Sequence, residues 1–279
     1  MLDLSVIVPT RNAGHLVDDC LASIVRESPR ELIVVDGCSS DDTVARAERH
    51  GARVLSDGGA GVPRARMMGA EAATSAALVL VDADVVLPPG GLAALLEEFQ
   101  AGGFAGLQAA QRSVSGSGYW GRALVRHHRT SRSKGWFGLV ASIVDRETFL
   151  RYGLDDRFRS GEDIDLRYRL EQDGVPVGVS ERTVVEHRYG DTFAFARDQF
   201  MQDGAGLGRM VRVHRGRATL LAVLPAAATA RGIALSVARR EPSYLPYYVA
   251  FGVLNYVGMA KGLRDPRLRD ALRHEAVAS

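Results

Sequence analysis

Four short strand-like runs in this chain lack the polar alternation of a sheet with one wet face. They are residues 4–8, the ELIVVDG that ends in Asp36, ARVL, and the ALVLV that leads into Asp82-Ala83-Asp84. Between them the apolar spacing turns helical. Leu16, Val17, Cys20, Leu21, Ile24 and Val25 repeat at a helical period, SSDDT offers N-cap side chains, VPRARMMGAEAAT carries Pro63 near a first turn, and GGLAALLEEF is helical again. Apolar strands separated by helices predict a mostly parallel, doubly wound α/β sheet covered on both faces.

In such sheets ligands sit outside the carboxyl ends of the strands. The first strand delivers Pro9, Thr10, Arg11 and Asn12 there, the second Asp36, and the fourth Asp82 and Asp84. Two carboxylates at i and i+2 on a continuing strand would point the same way, so something positive must offset their repulsion. No GxGxxG follows the first strand and no GxxxxGK[ST] occurs, which argues against a dinucleotide dehydrogenase or a P-loop NTPase. A formal net charge of +2 gives no reason to expect a nucleic-acid partner. Cys20 and Cys38 have no zinc spacing and read as reduced, mostly buried thiols of a cytoplasmic protein. The opening MLDLSVIVPT reads as a strand, so no secretory leader is expected.

The middle of the chain changes character. SVSGSG reads as a polar loop, YWGRALVRHHRTSRSKG as a basic helical segment, and FGLVASIVD as a strand. His127 and His128 have no ligand partner at metal spacing and read as surface or acceptor-side residues. SGEDIDLRYRLEQDG predicts a helix with Glu162 and Asp163 at its N-terminus, where the helix dipole favours carboxylates. VPVGVS and TVVEH predict two short strands, the second ending at His187. Farther on, 218–238 and 244–260 are the most apolar stretches, interrupted by Pro225, Arg231, Pro246 and Asn255. Arg209, Arg212, Arg215 and Arg217 precede them, Lys261, Arg264, Arg267 and Arg269 follow, and the connecting RREPS is basic as well. Basic residues on both flanks and in the turn disfavour a spanning hairpin and predict a helical pair lying in the cytoplasmic leaflet. Helices that pack on the domain or form a homodimer are the alternative.

VIVPTRN, VVDGCSSDDT, the VPRARMMGAEAA helix, VLVDAD and GEDIDLRYRL follow one another as they do in the family 2 glycosyltransferases. The chain resembles that family over roughly its first 200 residues. The resemblance implies a GT-A fold and transfer of a sugar from a nucleoside-diphosphate sugar. It also implies a divalent cation, Mg2+ or Mn2+, held through Asp84 with Asp82 close by; hard oxygen ligands suit either ion. Asp36 resembles the residue that hydrogen-bonds the nucleotide base, and Pro9, Thr10 and Arg11 lie in the donor-binding loop. Arg66, or Arg64, is a candidate for the diphosphate, with a solvated helix charge as the other reading for each. Asp163, with Glu162 beside it, resembles the general base of an inverting enzyme. His187 matches a histidine that adds a metal ligand in some relatives and reads equally well as a structural histidine.

These readings divide the chain into a GT-A domain over 1–205, with a nucleotide-sugar half (1–112) and an acceptor half (113–205), and a C-terminal helical region over 206–279. A hydroxyl acceptor is expected, with a lipid-linked saccharide of a cell-envelope glycan as one candidate, because an acceptor that is already ionised hardly needs a base. A sugar nucleotidyltransferase and a non-catalytic, membrane-anchored nucleotide-binding scaffold are the rival readings.

Overall fold

A computed structural model describes residues 1–130 and 136–268. The end of the expected basic segment (131–135) and Arg269 of the C-terminal flank lie outside the described residues. The chain packs as two compact units.

The first unit holds Met1–Val114, the described residues of 132–156, and Asp165–Tyr189. Its strands are β1 (Leu2–Thr10), β2 (Pro29–Asp36), β3 (Arg53–Ser56), β4 (Ala77–Val81), β5 (Val85–Val86), β6 (Gly106–Ser115), β7 (Ala141–Asp145) and β8 (Val177–Tyr189). They form one eight-stranded sheet in the order β3-β2-β1-β4-β7-β6-β8-β5. The first four strands pair in parallel, as expected, while β7 runs antiparallel to β4 and β6, and β5 antiparallel to β8. The missing alternation has a direct cause. Leu4, Val6 and Val8 pack with Val17, Leu21 and Ile24 of helix α1 (Val17–Val25) on one face. Ile7, Ile33 and Leu80 pack with Ala65 and Ala70 of α3 (Val62–Ala72) on the other. Successive side chains enter opposite cores, so nearly every position is apolar; Ser5 is the buried polar exception in β1, its hydroxyl donating to Glu31. Helix α3 lies close to the sheet: a Cβ on Gly69 would stand 2.4 Å from Ile7 Cγ2.

Helices α2 (Thr43–Arg49), α4 (Gly91–Gly102) and α6 (Arg146–Tyr152), with the part of α7 (Glu162–Gln172) from Asp165 on, complete this unit. Two expectations change. The two short strands ending at His187 are one thirteen-residue strand, β8. The expected loop SVSGSG begins as the last residues of β6, whose outer end is less buried than its apolar start. Cys20 is buried, but Cys38 is exposed in the loop after β2.

The second unit holds the described residues of 115–131, Arg157–Ile164, and the chain from Gly190 onward. It carries α5 (Tyr119–Thr130), the start of α7 (Glu162–Gln172), α8 (Phe193–His214), α9 (Leu224–Ala238) and α10 (Leu245–Leu263). The boundary expected at 205 therefore falls inside α8. Helices α8 and α10 run in the same direction and touch by backbone. A Cβ on Gly204 would fall 2.0 Å from Asn255 O, and one on Gly258 2.2 Å from Met201 O. His127 is not a surface residue; its ring lies 4.8 Å from that of Phe251 and packs against Tyr247 and Tyr248. Burial, with the charges of Arg231 and Arg126 nearby, pushes its imidazole down to about 4.

The two apolar C-terminal stretches are helical. Gly216–Val223 is a 3-10 helix that runs into α9, and Pro242–Tyr244 is a short one that runs into α10. Among the described residues, Ala218–Ala238 is the one stretch long and apolar enough to cross a membrane, and 17% of its apolar window is buried.

Candidate active site

The parallel ladder sets Thr10 directly beside Asp36, so β1 and β2 end together. Both side chains are buried, and Thr10 Oγ1 has no hydrogen-bond partner. Ser39 fixes the Asp36 carboxylate: its backbone N–H donates to Oδ2 at 2.9 Å and its hydroxyl to Oδ1 at 2.5 Å. Pro9 is buried at the same strand end, and Arg11 is exposed in the following loop.

Beyond β4 the chain turns. Asp82 N–H donates to Val140 O at 2.8 Å, and Val85 N–H closes back on Asp82 O at 3.0 Å. After the turn the two carboxylates meet different partners. Arg66 reaches from α3 to donate to Asp82 Oδ1 at 2.6 Å, and its side chain is only 4% exposed. Burial raises the Asp82 carboxyl above its ordinary range, with the Arg66 charge pulling the other way and Asp84 adding to the rise. Arg64, two residues earlier and exposed on another side of the helix, pairs instead with Glu71 at 3.2 Å.

Asp84 meets His187. After the turn, β5 pairs antiparallel with β8, so Val85 lies opposite His187 and Arg188 N–H donates to Asp84 O at 2.9 Å. His187 Nε2 then stands 3.3 Å from Asp84 Oδ2, while Asp84 Oδ1 is buried with no hydrogen-bond partner among the described residues. The other ring nitrogen is anchored: Tyr189 Oη lies 2.8 Å from Nδ1 and Gln111 Oε1 3.2 Å from it. Among the described residues no three His, Cys, Asp or Glu side chains gather at ligating distance. The donor set still suits a hard divalent cation, because such ions take one or two protein ligands and complete their shell with substrate phosphates and water. Asp84 and His187 fit that role. Asp82 Oδ1 is already engaged by Arg66.

Glu162 and Asp163 belong to the second unit. Glu162 is buried, and Asp163 Oδ1 accepts from the N–H of Ile164 at 2.9 Å. Gly161, just before them, adopts φ +84° and lies against Gly206 of α8, where a Cβ would stand 2.9 Å from Gly206 Cα. Ser160 donates to Gln202 O at 2.9 Å and accepts from Arg209 Nη1 at 2.8 Å. The start of α7 is thus fastened to α8 by its backbone.

The family model for glycosyl transferase family 2 matches residues 5–156, more than half of the chain. The chain belongs to glycosyl transferase family 2. An uncharacterised glycosyltransferase of Mycobacterium tuberculosis is 29% identical over 179 residues, which are 61% of this chain and 80% of that one. A mannosyltransferase of Pyrobaculum calidifontis, solved with GDP-mannose and Mn2+, superposes with a TM-score of 0.70 at 19% identity, over 95% of this chain and 88% of that one. TarS of S. aureus (residues 1–349), solved with UDP-GlcNAc, gives 0.59 at 14% identity, over 98% of this chain and 92% of that one. The fold is GT-A, and the protein is a glycosyltransferase. Family membership sets aside the sugar nucleotidyltransferase alternative.

Sequence reasoning missed Ser39, Gln111, Tyr189 and Asp203. Tyr189 had a signal, since residues i and i+2 of one strand point the same way. Gln111 had none, because β6 was not foreseen. Asp203 sits on α8 with Gln199 Nε2 donating to it at 2.9 Å. Its side chain reaches solvent, yet the surrounding protein, with the charge of Asp163 adding repulsion, holds its carboxyl up at about 7.

Proposed function

We propose that this glycosyltransferase is metal-dependent and inverting, and moves a sugar from a nucleoside-diphosphate sugar to a hydroxyl acceptor. The observation that carries the reading is the division of labour at the Asp82-Ala83-Asp84 turn. Arg66 holds Asp82, whereas Asp84 keeps an unpartnered buried oxygen beside His187. Asp84 and His187 hold Mg2+ or Mn2+. When bound, the cation neutralises the charge that grows on the departing nucleoside diphosphate. Asp36, oriented by Ser39, takes a hydrogen bond from the nucleotide base, and Thr10 Oγ1 meets a donor polar group. Asp82, its geometry set by Arg66, would lie near the ribose. Arg11 faces the donor from the loop after β1.

Asp163 accepts the proton of the acceptor hydroxyl while that oxygen attacks the anomeric carbon from the face opposite the leaving group. Glu162, buried behind it, positions the start of α7. A base at this point favours a hydroxyl acceptor over a phosphate, which is ionised already. A lipid-linked saccharide presented at the cytoplasmic face of a membrane matches the exposed apolar helices at the C-terminus. The exposed side chains there include Leu220, Val223, Val249 and Val253.

The test is transfer from a set of α-linked nucleoside-diphosphate sugars to a soluble acceptor with Mn2+ present, with the product anomer read by NMR. The expected product carries the β-linkage. An α-linked product overturns inversion, and nucleotide binding without turnover revives the scaffold alternative.

A further inference from the structure

Among the described residues, one face of α10 has no counterpart in the fold. Asn255, Gly258 and Gly262 press against α8, while Val249, Val253 and Val257 lie on another side and are 56%, 58% and 42% exposed. These three recur every fourth residue, so they form one stripe along the helix. Continued by one more such step, the stripe ends at Lys261, and Arg264 follows one turn on. Both are exposed, and among the described residues neither has an ion-pair partner. The other cations of this region are engaged. Arg209 bonds Asp265 at 2.9 Å, Arg267 bonds it at 2.7 Å, and Arg212 donates to Leu263 O at 2.6 Å.

At this end of α10 lies a cavity of about 620 Å³. Its walls are apolar where Val257, Ala260 and Pro266 line it, and its charged groups are Lys261, Arg264 and the Arg209–Asp265 pair. With Asp265 neutralised by Arg209 and Arg267, the cavity keeps two uncompensated positive charges beside an apolar wall. A free anion would use only the cations. A molecule with a phosphate joined to hydrocarbon uses both the cations and the stripe.

We infer that this cavity seats the phosphate of an anionic membrane phospholipid, with its acyl chains lying along Val257, Val253 and Val249. The inference rests on the membrane-surface part of the reading above and gives it a site. The seat adjoins Arg209, whose guanidinium also holds Ser160, three residues before Asp163. Occupancy therefore bears on the helix start that carries the base.

The experiment is co-sedimentation of the full chain with phosphatidylcholine vesicles, with or without phosphatidylglycerol. Wild type is compared with Lys261→Glu/Arg264→Glu, with Val253→Asp, and with Arg122→Glu/Arg129→Glu, which makes the same charge change on exposed residues of α5. Wild type and the α5 variant should bind the phosphatidylglycerol vesicles. Affinity should fall at least about tenfold in the Lys261/Arg264 variant and in Val253→Asp. A melt of each sample with a nucleoside-diphosphate sugar and Mn2+ reads donor binding separately; it should be the same in all four, so loss of that shift in wild type would count against the donor site and not the seat. Equal vesicle binding by wild type and the Lys261/Arg264 variant would overturn the seat and leave membrane association standing. No binding by wild type to either vesicle would overturn both. Inorganic phosphate that stabilises wild type but not the Lys261/Arg264 variant, with vesicle binding unchanged, would assign the cations to a free anion and overturn the lipid. A dimer in solution that Val253→Asp dissociates would make the stripe a subunit interface and likewise overturn it.

Discussion

The two units reach close packing by opposite means. In the sheet unit, side chains fill the space: Leu4, Val6, Ile7, Leu78 and Leu80 are fully buried in two cores. In the helical unit, α8 and α10 meet where side chains are missing, at Gly204, Gly208, Gly258 and Gly262. One region is therefore harmed by taking atoms away and the other by adding them. Leu80→Ala should cost about 2–5 kcal/mol through the cavity it leaves. Gly204→Ala adds a single methyl, but places it 2.0 Å from a backbone oxygen that cannot swing aside. It should cost at least as much as the leucine truncation, and the larger Gly204→Val should leave the second unit unfolded. Urea melts followed by circular dichroism check both. A Gly204→Ala chain that melts with wild type would break the contrast.

The proposed chemistry divides the same way: the residues proposed for the donor belong to the sheet unit, and Asp163, proposed as the base, to the helical one. Asp163→Asn removes the proton acceptor at nearly constant volume. Transfer should fall by about 10²- to 10⁴-fold while donor affinity, read by titration with a nucleoside-diphosphate sugar, stays at the wild-type value. A variant with wild-type turnover would make Asp163 a helix cap only.

Arg66→Met sharpens the view of the sheet unit. It leaves Asp82 without its counter-charge, and a fully buried broken pair costs about 3–5 kcal/mol. Asp82 keeps 27% of its side-chain surface, so about 2 kcal/mol is expected here. The sign with pH follows from burial, which already raises the Asp82 carboxyl. Without Arg66 the folded pKa rises further above the unfolded one. The variant should then be closest to wild type in acid and lose stability as pH rises through the folded pKa. Melting temperatures of both chains at pH 4 and pH 8 test this, and a pH-independent difference would contradict it.

Much of the sheet unit was legible because its strands have one reason to be apolar throughout. The run of motifs also placed Thr10, Asp36, Asp82 and Asp84 at one edge. The resemblance gave Asp84 the cation and Asp82 a place beside it, but the sequence could not show the partners of either, which come from far along the chain. Arg66 arrives from α3, and His187 arrives through the pairing of the two-residue β5 with β8. The helical unit was less legible. Glycines in an apolar helix carry no sign of which helix they will touch, and the boundary expected at 205 ignored α8 for that reason. His127 was read as a surface or acceptor-side residue for want of a ligand partner at metal spacing; its packing partners Tyr247, Tyr248 and Phe251 come from α10, far along the chain.

That histidine gives the second pH-dependent test. Its folded pKa, about 4, lies below the ordinary value of 6.5. Its contribution to stability is therefore complete above about pH 6.5 and is lost as pH falls toward 4. The melting temperature should drop by several degrees over that window in wild type and by less in His127→Phe. Parallel curves for the two chains would show that His127 is not the group responsible.

Asp84 and His187, as the cation site, are the centre of the proposed donor chemistry. The direct test is Mn2+ titration followed by electron paramagnetic resonance, with UDP or GDP present, on wild type, Asp84→Ala and Arg64→Ala. Wild type and Arg64→Ala should bind Mn2+ together with the nucleotide, and Asp84→Ala should lose that binding while its circular dichroism and melting curve remain those of a folded chain. Wild-type Mn2+ affinity in folded Asp84→Ala would contradict the account.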